Sequence, residues 1–177
     1  MKRQNVSPSY AASSAMSTAG ARQAELGALP EWNLTDLYPA MDSEAFRNDL
    51  ARAETECRDF AEAYRGKLDS LARGEEAATT LGEAVKRYEA IEDLLGRLMS
   101  YAGLVYSGDT TDPVRAKFYG DTQERLTAAS SDLLFFGLEL NRIDDAVMDT
   151  AMAEEPLAHY RPWIEDLRKD KPYQLDD

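Results

Sequence analysis

Leu81, Ala84, Tyr88, Ile91, Leu95, Leu98, Ala102 and Val105 recur at alternating steps of three and four. That spacing places them on one face of an α-helix and on no single face of a strand. Leu94, Met99, Tyr101 and Leu104 widen the apolar face in the second half, so that half is expected to be covered on two sides. The run needs a partner, and the flanking sequence supplies two. Phe46, Leu50, Ala53, Cys57, Phe60 and Tyr64 form an earlier stripe; Val114, Phe118, Thr122, Leu126, Ala129, Leu133, Phe136 and Leu140 form a later one. No segment alternates as a strand would. The fold class expected is all-α: a bundle of long antiparallel helices, preceded by a disordered N-terminal tail.

The helix ends are marked. Asp42 or Ser43 caps the first helix, with Glu44 near the positive end of its dipole, and Arg65-Gly66-Lys67 closes it. A short turn or helix follows between Leu68 and Ala78. Thr80-Leu81-Gly82-Glu83 has the form of a capping box, which places the start of the second helix at Thr80 and its end near Ser107. Asp112 caps the third, with Pro113 at its first position, where a missing amide costs nothing. The link through Gly108 to Pro113 is short enough to make the second and third helices antiparallel neighbours. Leu133-Leu134-Phe135-Phe136 is apolar all round, so the end of the third helix is expected to be deeply buried. Beyond Asn141, Asp144 caps a shorter helix through Val147, Met148 and Met152. Tyr160, Trp163, Ile164 and Leu167 mark a last amphipathic stretch whose start is obscured by Pro162.

Residues 1–28 are rich in Ser and Ala and contain no acidic residue before Glu25; Lys2, Arg3 and Arg22 are their only bases. They lack the large side chains that would offset chain entropy, so disorder is expected. The same composition resembles a transit peptide, but serines interrupt any secretory apolar run. From Leu29 the chain turns aromatic. Trp32, Leu34, Leu37 and Tyr38 are expected to anchor a lead-in strap, with Thr35 capping a single turn before Pro39.

Few side chains can do chemistry. The 177 residues include one cysteine and one histidine. Cys57 allows no intramolecular disulfide, and its place in a stripe makes it a buried thiol. Together with the lack of a secretory segment, this points to a reducing, cytoplasmic location. His159 alone makes H-E-x-x-H impossible and cannot supply the paired Glu-x-x-His motifs of di-iron bundles. Phosphate-binding glycine loops are absent, and no nucleophile elbow presents a serine to His159. Adjacent acidic pairs such as Glu75-Glu76, Glu92-Asp93 and Glu154-Glu155 diverge by about 100° on a helix and do not converge on one metal. The net charge of −13 argues against nucleic acid, and no apolar run approaches the roughly 20 residues of a membrane helix. No catalytic, cofactor-binding or metal-binding residue is assigned.

Three segments resemble the oligoendopeptidase F family of zinc metallopeptidases, which is related to thimet oligopeptidase. They are Trp32-Asn33-Leu34-Thr35-Asp36-Leu37-Tyr38-Pro39; Tyr64-Arg65-Gly66-Lys67-Leu68; and Arg97-Leu98-Met99-Ser100-Tyr101-Ala102-Gly103-Leu104 followed by Asp109-Thr110-Thr111-Asp112-Pro113. Leu157-Ala158-His159-Tyr160 and Lys171-Pro172-Tyr173-Gln174-Leu175 are similar to the family too, although a histidine often follows that proline where Tyr173 stands here. The resemblance implies that residues 29–177 are the N-terminal helical region of an oligopeptidase, incomplete at its C-terminal end. It also implies that zinc and the H-E-x-x-H motif belong to a C-terminal catalytic domain that this chain lacks. The partners implied are that domain and, in the full enzyme, an oligopeptide in a groove walled by the helices. The alternative is a free-standing helical interaction module without enzymatic activity.

Overall fold

The computed structural model describes residues 32–174, and every regular element among them is helical. The tail expected at 1–28, the first residues of the lead-in and residues 175–177 lie outside the described residues. Residues from Asn33 onward form a compact unit of their own.

Helix α1 spans Glu44–Tyr64, and Ser43 caps it by accepting the Phe46 amide at 3.3 Å. Its stripe is buried from Phe46 through Phe60. At its end Gly66 adopts φ +77°, a left-handed conformation that favours glycine. The Lys67 ammonium donates to the Glu62 and Ala63 carbonyls at 2.9 and 2.8 Å, satisfying groups that the helix itself leaves unpaired. The short helix α2, Leu68–Ala72, follows, with Leu68 fully buried.

Helix α3 runs Ala77–Gly108, on the order of 48 Å at 1.5 Å per residue. The expected capping box does not form. Thr80 lies inside the helix, its amide bonded to the Glu76 carbonyl at 2.9 Å and its hydroxyl donating to the same oxygen at 3.1 Å. Ala77 and Ala78 are strong helix formers and carry the helix back to the turn at Gly74. Gly82 has a different role. A Cβ there would lie 2.6 Å from Pro156 Cγ and 3.1 Å from the Leu157 nitrogen. The bare backbone at Gly82 lets the 156–157 segment cross α3 closely enough to bury Leu157 completely.

Helix α4 spans Pro113–Ser130, capped by Asp112, which accepts the Val114 amide at 2.7 Å. The long third helix expected through Leu140 is interrupted. A 3-10 turn at Ser131–Leu133 separates α4 from α5, Leu134–Arg142. Ser130 and Ser131 hydroxyls donate back to Thr127 and Ala128 carbonyls at 3.2 and 2.7 Å, in competition with the helical ladder. The stripe is buried at Thr122, Leu126, Ala129, Leu133, Phe136 and Leu140, but Val114 is exposed. Three successive steps of four between Val114 and Leu126 carry the row about 120° round the helix. The expected burial of Leu133–Phe136 is also corrected. Leu134 is 69% exposed, because it precedes Phe136 by two positions and so points about 200° away from it.

Helices α1, α3 and α4 pack against one another, and α3 and α4 are antiparallel neighbours through their short link. Aromatic rings fill the core. Tyr38 meets Phe46 and Tyr101 edge-on at 5.2 and 5.1 Å. Phe136 lies edge-on to Phe60 at 5.0 Å and stacks on Tyr88 at 4.8 Å. Helix α6, Asp145–Ala151, is capped by Asp144 and buries Met148. A 3-10 turn at Leu157–Tyr160 leads into α7, Arg161–Leu167, where Pro162 falls in the first turn and Ile164 is buried. A 3-10 segment, Arg168–Tyr173, follows.

The lead-in is anchored differently from expectation. Asn33, rather than Thr35, forms the cap: its side-chain oxygen accepts the Thr35 amide at 3.1 Å and the Thr35 hydroxyl at 2.7 Å. Trp32 is exposed, whereas Tyr38 is buried and Leu34 and Leu37 pack against the core. The Tyr38 hydroxyl donates to Asp49 at 2.8 Å; Arg97 and Arg52 also donate to that carboxylate, each at 2.8 Å. Burial works to raise the Asp49 carboxyl. The hydrogen bonds from Tyr38 and Arg52 and the charges of Arg52 and Arg97 outweigh it and hold Asp49 below its ordinary value. Burial, followed by the bond to Asp49, pushes Tyr38 up to about 12.

Two expectations follow for stability. Gly82→Ala adds a methyl where Pro156 already stands and should cost about 1–3 kcal/mol. Gly96→Ala, where no atom lies within 4 Å, should gain up to about 1 kcal/mol from helix propensity. Urea unfolding midpoints moving the same way in both variants would contradict the crossing. Tyr38 has a raised folded pKa, so its stabilising contribution is complete below about pH 10, the value of a tyrosine in an unfolded chain, and is lost as pH rises towards 12. Tyr38→Phe should therefore flatten the alkaline fall in stability between pH 10 and 12. The check is a series of denaturation curves across that range.

Candidate functional site

The reactive side chains are scattered or locked. Cys57 is fully buried in the α1 stripe, and burial, reinforced by the charges of Asp132, Glu92 and Glu56, pushes its thiol up to about 11. At neutral pH it is a protonated thiol without nucleophilic character. His159 is exposed beside Tyr160, its ring edge-on at 5.0 Å. The groove around it, about 460 Å³, is lined by Gly82, Glu83, Lys86, Glu155, Pro156 and Tyr160, with neither serine nor cysteine. Among the described residues, no group of three or more His, Cys, Asp or Glu side chains is placed to hold a metal ion. These residues do not fit a zinc site.

A cleft of about 750 Å³ lies between the α2–α3 turn and α6. Small side chains such as Ala77, Ala78 and Ala146 line it, with Glu75, Glu76 and Glu154 at its polar edge. Arg73 also lines it, but its guanidinium is forked onto Asp69 at 2.9 and 3.0 Å. The cleft holds no pairing of nucleophile with base. Among the described residues, no helix is long and apolar enough to cross a membrane.

Two of the three motifs singled out in the sequence fall at joints of the fold, and the third runs from the interior of α3 into the α3–α4 link. Trp32–Pro39 is the Asn33-capped turn that seats Tyr38. Tyr64–Leu68 is the left-handed stop of α1, and it docks on α5: the Gly66 amide donates to Glu139 at 2.7 Å, while Arg65 donates to the Asp132 carbonyl at 3.0 Å. The third begins on α3 with Arg97, which reaches Asp49, and with the buried Leu98, Tyr101 and Ala102. It ends in the α3–α4 link, where Asp109 accepts the Thr111 amide at 2.9 Å before Asp112 caps α4. These side chains turn and pin the chain.

Leu134 and Leu138, one turn apart on α5, are 69% and 46% exposed, and Tyr173 and part of Trp163 are also accessible. Leu138 belongs to none of the three stripes, and both leucines lie opposite the Phe136 and Leu140 face on a helical projection.

No curated protein and no solved structure matches the chain. A family model described as Oligopeptidase F, for the N-terminal region of the peptidase M3 group, matches residues 139–177. The matched residues begin in α5 at Glu139, the carboxylate that receives the Gly66 amide, and include the Leu157–Tyr160 and Lys171–Gln174 segments. The motifs at 32–39, 64–68 and 97–113 precede it. The segment 139–177, which includes the second half of α5, α6 and α7, is similar in sequence to the N-terminal region of the oligopeptidase F family.

Proposed function

We propose that this chain is the non-catalytic, helical N-terminal part of a zinc-dependent oligoendopeptidase that cleaves short peptides, its long helices walling the substrate groove. The observation that carries this reading is the match of residues 139–177 to Oligopeptidase F. On this reading residues 29–177 form one helical region that continues into a catalytic domain. That domain supplies H-E-x-x-H and zinc, and the whole enzyme acts in the cytoplasm on oligopeptides. The exposed Leu134 and Leu138 suit a face that a further domain covers.

A second reading, a free-standing helical interaction module, is favoured by the single core shared by buried residues from Tyr38 to Ile164, which is what a chain folding by itself needs. The gene separates the two. An oligopeptidase is expected to read on past the codon for Asp177 into a helix bearing H-E-x-x-H; a stop codon there, with no such sequence in the neighbouring frame, overturns the first reading. The purified 177-residue chain is expected to leave fluorogenic oligopeptides intact with or without added zinc. Sustained hydrolysis that co-elutes with the chain would refute the non-catalytic assignment.

A further inference from the structure

The 3-10 segment Arg168–Tyr173 buries none of its residues. Polar bonds to the end of α5 and the start of α6 hold it, together with Gln174. The Arg168 guanidinium donates to the Leu140 carbonyl, to the Ile143 carbonyl at 2.8 Å and to the Asp145 carboxylate. The Lys171 ammonium donates to the Ile143 carbonyl at 3.2 Å and to Asp145 at 2.7 Å. The Gln174 amide donates to the Leu138 carbonyl at 3.3 Å. Asp145 is 77% exposed, so its ion pair with Lys171 is screened by solvent, whereas the Arg168 side chain is 11% exposed.

Two unpaired groups lie in or beside the closed segment. The Asn141 and Gln174 side-chain oxygens are buried and have no hydrogen-bond donor among the described residues. Asn141 sits on α5 between the positions that Gln174 and Arg168 grip. A buried acceptor without a donor is a cost that opening to water relieves. Immediately before the segment the attachment changes character: Ile164 is fully buried, and Leu167 lies against Gly137 of α5.

We propose that residues 168–174 are a strap that unlatches from α5 as a unit, hinged at Leu167–Arg168, while the helical core stays folded. Closing is polar and opening uncovers little apolar surface, so the strap belongs to the low-stability end of the molecule. The open form presents the carbonyls of Leu138, Leu140 and Ile143 and the Asn141 amide beside the exposed Leu134–Leu138 row. The proposal is independent of the peptidase reading, since it rests only on this chain's own contacts.

The test uses the intact 177-residue chain, with hydrogen exchange followed by mass spectrometry and tryptic cleavage after Lys169. The bond after Lys171 is protected by Pro172, and the bonds after Arg168 and Lys169 both lie in the strap, so cleavage at either reports its opening. Strap amides are expected to exchange at a rate insensitive to low urea, while core amides of α1 and α3 follow global unfolding. Asp145→Asn and, separately, Lys171→Met should each speed cleavage about two- to fivefold, as expected for an exposed ion pair, and leave the unfolding midpoint unchanged. Asn141→Leu, which removes an unpaired oxygen, should slow cleavage. Strap exchange with the urea dependence of the core, or cleavage unchanged in both latch variants, would overturn the strap.

Discussion

Phe136 of α5 is placed between Phe60 of α1 and Tyr88 of α3, and so ties the three helices together. One ring edge and one ring face of neighbouring helices meet it at 5.0 and 4.8 Å. Aromatic pairs of this kind each contribute about 0.5–1.5 kcal/mol beyond the area they bury. A 3-10 turn at Ser131–Leu133 precedes this placement. Three residues wound at 120° instead of 100° advance the helix face by about 60°, and they carry the stripe of α4 into α5 on the core side. The end of α1 docks here as well: Arg65 bonds to Asp132 of the turn and the Gly66 amide bonds to Glu139 of α5. Everything after α5 is built on this junction.

The motifs that resemble a peptidase family therefore have a physical meaning separate from catalysis. The first two and the end of the third lie where the backbone changes direction, and Arg97–Leu104 lies inside α3. Gly66 is needed for its positive φ, Asp112 for its carboxylate at an N-cap, and Arg97 for its reach from α3 to Asp49. Such joints specify a fold and leave chemistry to other residues. The scarcity of reactive side chains agrees with that division. Cys57 is packed in the core and His159 stands exposed beside a tyrosine.

Much of this was legible in the sequence. The three stripes, the Ser43, Asp112 and Asp144 caps and the Gly66 stop all follow from local chemistry, because the groups involved lie within four residues of one another. The errors have local causes too. The Thr80 capping box lost to the helix-forming alanines ahead of it, and Asn33 captured the turn assigned to Thr35. The exposure of Val114 was recoverable from its spacing, since repeated steps of four drift around a helix.

By itself, then, the sequence determined the all-helical class, the order and caps of the helices and the similarity to oligopeptidase F, because periodicity, capping and motif spacing are properties of neighbouring residues. Only the tertiary structure decided which apolar residues meet. Gly82 is indispensable because Pro156 and Leu157 cross above it, Leu134 is open because Phe136 takes the core side of α5, and Arg168 caps a helix that ended many residues earlier. Those outcomes depend on contacts between segments distant in the chain, and no local pattern encodes them.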